Sequence, residues 1–156
     1  QEEGIRYDII EASLNRFAQI PLPSLLAKAR VLVEEAKNDS FKPLVEAFNR
    51  VNNLAEKLDR NVEVEEELFT EAAERDLWTT YAIVRQKFSA HAKEGNWQEA
   101  FNALKELAAP IEAYFDTTMV MVDQEHIRYN RLASLDKVAG LIKEYADFSQ
   151  IVFSAK

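Results

Sequence analysis

The chain has 156 residues, 47% of them hydrophobic, with nine Phe, five Tyr and two Trp, which is enough for one folded domain with a sizeable core. A net charge of −8, from 19 basic and 27 acidic residues, excludes indiscriminate nucleic-acid binding, and the lack of Cys excludes disulfides and thiolate metal sites. Three Gly and four Pro argue against a hairpin-rich β fold, and no apolar run approaches the ~18 residues of a membrane span.

Ile10, Leu14 and Phe17 share one helical face and predict a helix over 7–19. "IPLPS" ends it, because a residue before Pro is pushed out of the helical region, and Pro23 then fits the first turn of a second helix reaching about residue 37. Leu25, Leu26, Ala29, Leu32, Val33 and Ala36 make its inner side. "NDS" at 38–40 signals a turn before a third helix over 41–58, with Leu44, Phe48, Val51 and Ala55 inward. After the unpatterned "DRNVEVEEE", a long fourth helix over 66–93 carries Phe69, Ala73, Leu77, Tyr81, Val84 and Phe88 as its stripe. Gly95 stops it, and Asn96 with Glu99 opens a fifth helix bearing Trp97, Ala100, Phe101, Leu104 and Leu107. A short helical piece over 111–116 follows Pro110. A last helix over 124–146, capped by Asp123, faces inward with Ile127, Leu135, Ala139 and Ile142, with Leu132 and Tyr145 at its margins. The charge is uneven: residues 1–64 hold nine basic and eleven acidic side chains (−2), and residues 65–156 hold ten and sixteen (−6). The start, Gln1-Glu2-Glu3 with no Met, reads as a piece of a longer protein.

No catalytic constellation is visible. His91 and His126 lie far apart, and there is no His pair at helical spacing, no Gly-rich phosphate loop and no nucleophile elbow. Arg85, Lys87, His91 and Lys93 gather at the end of the fourth helix. They either complement the helix dipole, worth about 0.3–1 kcal/mol per charge, or form a local patch for phosphates. Arg128 and Arg131 are neighbours in the first turns of the last helix, where a basic side chain gains nothing from the dipole. Either they pair with Asp116 or Asp123, or they present guanidinium forks to RNA. Trp78, Trp97 and Tyr129 could stack on a base, or simply pack. The run 117–122, Thr-Thr-Met-Val-Met-Val, is poor helix material because its β-branched side chains lose χ1 freedom.

That run belongs to a recognisable stretch. "PIEAYFDTTMVMVDQEHIRYNRLASL", residues 110–135, closely resembles the C-terminal signature of the β subunit of bacterial tetrameric glycyl-tRNA synthetase. Pro110, Phe115, Asp116, Met119, Val120, Met121, Asp123, Arg128, Asn130, Arg131, Leu132 and Leu135 stand on its pattern. "LFTEAAERDLW" at 68–78 and "ADFSQIV" at 146–152 extend the likeness over essentially the whole chain. Tyr114, Thr118, Ser134 and Gln124 depart from it.

The predicted elements sum to an all-α helical bundle of six or seven helices, and the resemblance implies that it is of the anticodon-binding type also used by arginyl-tRNA synthetase. Residues 1–156 would form a single C-terminal domain of a longer β subunit. It would recognise the anticodon of tRNA(Gly) in support of ATP-dependent glycylation by the α subunit, within a cytoplasmic heterotetramer. No catalytic residue, metal or cofactor is expected in this piece; ATP and Mg²⁺ belong to the holoenzyme, and neither DNA nor membrane is an expected partner. Arg128, Asn130 and Arg131 are the first residues expected to face RNA, with Arg85, Lys87, His91 and Lys93 second. Phe115, Asp116, Met119, Met121, Asp123 and Leu132 are expected to be structural: Met and Val of the odd run pack inward, and the two Asp cap or pair at its ends. The competing reading is a non-catalytic bundle that docks domains or subunits together.

Overall fold

A computed structural model describes residues 22–151, and the segment predicted as a helix over 7–19 lies outside the described residues. Six α-helices make up an all-α bundle, with no strand among the described residues. They are α1 (Leu22–Glu35), α2 (Phe41–Ala55), α3 (Ala72–Lys93), α4 (Trp97–Lys105), α5 (Ala108–Thr117) and α6 (Glu125–Tyr145). Single 3₁₀ turns stand at Glu66–Leu68 and Phe148–Gln150.

Helical periodicity decides which faces meet. Phe41, Leu44, Val45, Phe48, Val51 and Ala55 line one side of α2 and bury it mainly against α6. The helix α3 packs on α4 and α5, α1 leans on α4, and the last 3₁₀ turn folds back onto α2. At the centre Phe48, Phe88, Phe101, Tyr145 and Phe148 are all buried. Phe48 meets Phe148 edge-on at 5.3 Å, and Phe101 meets Tyr145 at 5.3 Å. Each buried Phe stabilises the fold by about 1.5–3 kcal/mol. Lys28 is also buried, with its ammonium 4.9 Å from the Trp97 ring centre and 5.4 Å from that of Tyr145. The Tyr145 hydroxyl donates to the Lys28 carbonyl at 3.2 Å.

The ends of the helices follow local chemistry. Gly95 takes φ +74°, a left-handed conformation that glycine adopts without a Cβ penalty. There the Asn96 N–H reaches the His91 carbonyl and the Gly95 N–H reaches that of Ala92, which closes α3. Asn96 Oδ1 then accepts from the Glu99 N–H and opens α4. The expected helix over 66–93 is broken, because the Glu74 carboxylate accepts the N–H groups of Thr70 and Glu71 and so starts α3 at Ala72.

Burial corrects the sequence reading at several positions. Leu26 is on the surface of α1, whereas Leu132 and Tyr145, expected at the margins of the last helix, are fully buried. The reason is that α6 is surrounded: every side chain from Asn130 to Leu135 is buried, so one stripe does not describe it. Between α5 and α6 the chain is extended at Thr118 and then bends at Val120 and Met121, where the Val122 N–H reaches the Val120 carbonyl at 2.9 Å. Thr118 and Val120 point inward, while Met119 (70% exposed) and Met121 (48% exposed) point out, contrary to the expectation that both methionines pack inward.

Candidate functional site

The first two turns of α6 hold three polar side chains that each capture a piece of irregular backbone. Arg128, half-buried, donates from one guanidinium nitrogen to the carbonyls of Val122 (3.0 Å) and Asp123 (3.4 Å). Asn130, buried, accepts from the Glu65 N–H at 2.7 Å and donates to the Glu65 carbonyl at 3.0 Å, pairing with that residue as a neighbouring strand would. Arg131, buried, donates to the Met119 carbonyl, to Thr70 Oγ1 at 2.8 Å and to Glu74 Oε2 at 3.0 Å. One helix end thus fastens both the 59–71 segment and the 118–123 connector, which lack regular ladders of their own.

Three expectations change. Arg131 pairs with Glu74 rather than with Asp116 or Asp123. Asn130 and Arg131, expected to face RNA, are buried, and their polar atoms serve the fold. Asp123 does not cap the last helix: Gln124 occupies the N-cap position without a side-chain bond, and Asp116 and Asp123 are both exposed. Of the remaining motif residues, Leu132 is core and Phe115 packs edge-on against Tyr114 at 5.3 Å.

Next to this clamp lies a groove of about 430 Å³ between the 60–68 segment and the start of α6. Tyr129 forms part of its wall, and the Arg60 guanidinium lies 4.3 Å from the Tyr129 ring centre. The Tyr129 hydroxyl donates to Asp59 Oδ1 at 2.8 Å, which holds the Asp59 carboxyl below its ordinary range, helped by Arg60. Arg60 also pairs with Glu125 at 3.4 Å. Glu63, Glu65, Glu125 and His126 also line it, together with the apolar Val62 and Leu68, so carboxylates and apolar groups surround the aromatic and guanidinium surface. Arg60 and Asp59 were missed by sequence reasoning, since they sit in its least patterned piece. Nothing in the local sequence marks Glu74 as a buried partner of Arg131.

The second basic set is elsewhere. Arg85, Lys87 and Lys93 are exposed and His91 is half-buried near the C-terminal end of α3. Lys87 pairs with Glu106 at 3.1 Å, and Arg85 lies 5.9 Å from the Tyr81 ring centre. Seventeen residues separate His91 from Glu74, which is roughly 25 Å along the helix axis, so the structure does not bring the two expected sets together. Trp78 stacks on Tyr81 at 5.2 Å and Trp97 packs edge-on to Tyr145, leaving Tyr129 as the aromatic at the groove. Among the described residues no cluster of His, Asp and Glu is arranged to hold a metal ion, and no helix is long and apolar enough to cross a membrane.

Comparison with known proteins agrees with this architecture. The chain is 42% identical over 154 residues to the glycine–tRNA ligase β subunit of Shouchella clausii, covering 99% of this chain and 22% of that protein. It is 38% identical over 154 residues to the protein of the same name from Halalkalibacterium halodurans (98% and 22%), and 40% identical over 152 residues to that of Lacticaseibacillus casei (97% and 21%). The chain spans about a fifth of the length of the curated relatives it matches. The DALR anticodon binding domain matches residues 44–153, from within α2 to beyond the last 3₁₀ turn. By that match across most of its length, this chain belongs to the DALR anticodon-binding domain family.

Proposed function

We propose that the chain is the anticodon-reading domain of a glycine–tRNA ligase β subunit and binds tRNA(Gly). The observation that carries this reading is the family match across residues 44–153, and the names of the relatives narrow it to glycine. In this reading the α subunit uses ATP and Mg²⁺ to activate glycine and transfer it to the tRNA, within a cytoplasmic heterotetramer. The domain contributes by holding the anticodon arm.

The groove beside α6 is the face we assign to a loop base. Unstacked bases of a single-stranded loop pack on aromatic rings and guanidinium planes, and Tyr129 and Arg60 supply both. Carboxylates around them accept from a base amino group and repel phosphate, which favours entry of a base edge over the backbone. Arg128, with nitrogens beyond the one given to Val122, borders this face, whereas Asn130 and Arg131 act by positioning it. The exposed cations Arg85, Lys87 and Lys93, with His91, are assigned to phosphates.

The test is a titration of the full β chain with tRNA(Gly) and an anticodon-swapped tRNA across a salt series. Salt-dependent binding with preference for the cognate loop is expected. Tyr129→Ala should weaken cognate binding by about 1–3 kcal/mol, the worth of one stacked base. Equal affinity for both tRNAs would refute the reading.

A further inference from the structure

Met119 and Met121, two residues apart in the connector, are 70% and 48% exposed. Thr118 and Val120 are buried, and the tight bend at Met121, closed by the Val122 N–H on the Val120 carbonyl, leaves the residues at 119 and 121 outside. Geometry alone asks only for side chains that tolerate water there. Two methionines make an apolar ridge instead, and a single exposed apolar residue needs no explanation where a pair in one place does. The ridge is also stiff: buried Arg131 holds the Met119 carbonyl and Arg128 holds that of Val122. A contact surface fixed in advance loses little entropy when it is covered.

The charges beside the ridge name what covers it. Asp116 lines one hollow of about 340 Å³ together with Phe115 and Met119. Asp123, two residues beyond Met121, is exposed. Neither carboxylate has an ion-pair partner among the described residues; Arg50 shares a second hollow with Asp116, where Glu46 and Glu112 outnumber it, and the Arg128 guanidinium is turned to the Val122 and Asp123 carbonyls. Phosphates are repelled by such a rim and ammonium or guanidinium groups are attracted. The size of the patch limits the occupant further. Two methionines and part of a Phe fall well short of the roughly 1,200 Å² that a stable complex between free proteins buries. A tethered partner needs less area, because attachment gives it a high effective concentration.

Resting on the reading that this chain is one domain of a longer β subunit, we propose that the Met119–Met121 ridge docks onto an apolar surface rimmed by Lys and Arg elsewhere in that same polypeptide. The relatives leave about four-fifths of their length for such a surface.

Peroxide footprinting of the full-length β chain tests this. Met119 and Met121 are the two methionines of this sequence, and cleavage after Lys105 and Arg128 places both in one tryptic peptide. Their thioethers oxidise to sulfoxides at a rate set by access. Without tRNA, sulfoxide formation is expected to be at least about tenfold slower in the folded chain than in the same chain unfolded in urea. Equal rates would overturn the proposal. Protection that arises only on adding tRNA(Gly) would overturn it too, in favour of RNA on the ridge. In small-angle scattering the full chain carrying Met119→Glu and Met121→Glu is expected to expand while its helical circular dichroism stays the same; an unchanged radius of gyration counts against docking. Anticodon preference is measured on the same samples, so loss of the ridge proposal and loss of the tRNA reading are told apart.

Discussion

Replacing Arg131 by Met separates a structural from an RNA-binding role for that residue. The guanidinium and the Glu74 carboxylate are 3.0 Å apart, with side chains 6% and 1% exposed, so removing one charge strands the other in the interior. Stranding one member of a buried pair costs about 3–5 kcal/mol. That is a fifth or more of the ~5–15 kcal/mol holding a typical domain together. For a chain of this size it corresponds to a fall in Tm of about 6–20 °C. Two groups in the network, Glu74 Oε1 and Arg131 Nε, have no hydrogen-bond partner among the described residues, so the intact pair gives little beyond a neutral replacement. The double variant Arg131→Met with Glu74→Gln should therefore recover about half of the loss. It removes the stranded charge and keeps a carbonyl oxygen for the N–H groups of Thr70 and Glu71. Urea unfolding followed by circular dichroism at constant m-value measures both. If Arg131→Met costs under about 1 kcal/mol, or if the double variant is no more stable than the single one, the account of the buried pair is wrong.

Asn130→Ala removes both bonds to the Glu65 backbone and should cost about 1–3 kcal/mol, with faster amide exchange localised at Glu65; unchanged exchange there would contradict the pairing. Gly95→Ala meets no atom within 4 Å of the added Cβ, so its cost is conformational, about 1–2 kcal/mol by thermal melting, and a neutral result would contradict the left-handed cap. Tyr114 and Tyr145 have hydroxyls pushed above the ordinary value of 10.0 by burial. Raised folded values mean that their contribution is complete below pH 10 and is lost as the pH climbs above it, so absorbance at alkaline pH should show both ionising only with unfolding. The Asp59 carboxyl lies below its ordinary range, chiefly through the Tyr129 hydroxyl, so its contribution is present above that range and fades as the pH falls through it. Tyr129→Phe should move the Asp59 carboxyl titration upward by NMR, and no movement would refute the bond.

How much of this was legible in the chain depends on the range of the forces involved. Apolar spacing along α2 and α4 is local and named their buried sides correctly, Phe48 and Val51 on one and Phe101 and Leu104 on the other. Gly95 and Asn96 were equally readable, because a left-handed turn and a cap need only their immediate neighbours. Periodicity was a poorer guide on α6, where neighbours on several sides bury consecutive residues and erase the stripe. The expected helix over 66–93 was shortened by one carboxylate, Glu74, whose preference for nearby N–H groups outweighed the helical pattern. Its partner Arg131 lies 57 residues away, a distance no local rule reaches.

The same limit explains the outcome at the motif Arg128-x-Asn130-Arg131. Polar residues in a recognisable motif invite a functional reading, and at the start of a helix a guanidinium is electrostatically misplaced. The structure supplies the missing reason: each side chain satisfies backbone groups of a segment that has no ladder of its own, at 119, at 122–123 and at 65. Buried arginine suits this task, since its planar fork can meet a carbonyl, a hydroxyl and a carboxylate at once. The three polar side chains of this motif thus hold two surfaces in place. One is the Tyr129–Arg60 groove, carried on the 59–71 segment that Asn130 and Arg131 hold. The other is the Met119–Met121 ridge, carried on the connector that Arg128 and Arg131 hold. Arg131 binds to both segments, so loosening it should disturb groove and ridge together, whereas Tyr129→Ala and the methionine variants should each disturb one.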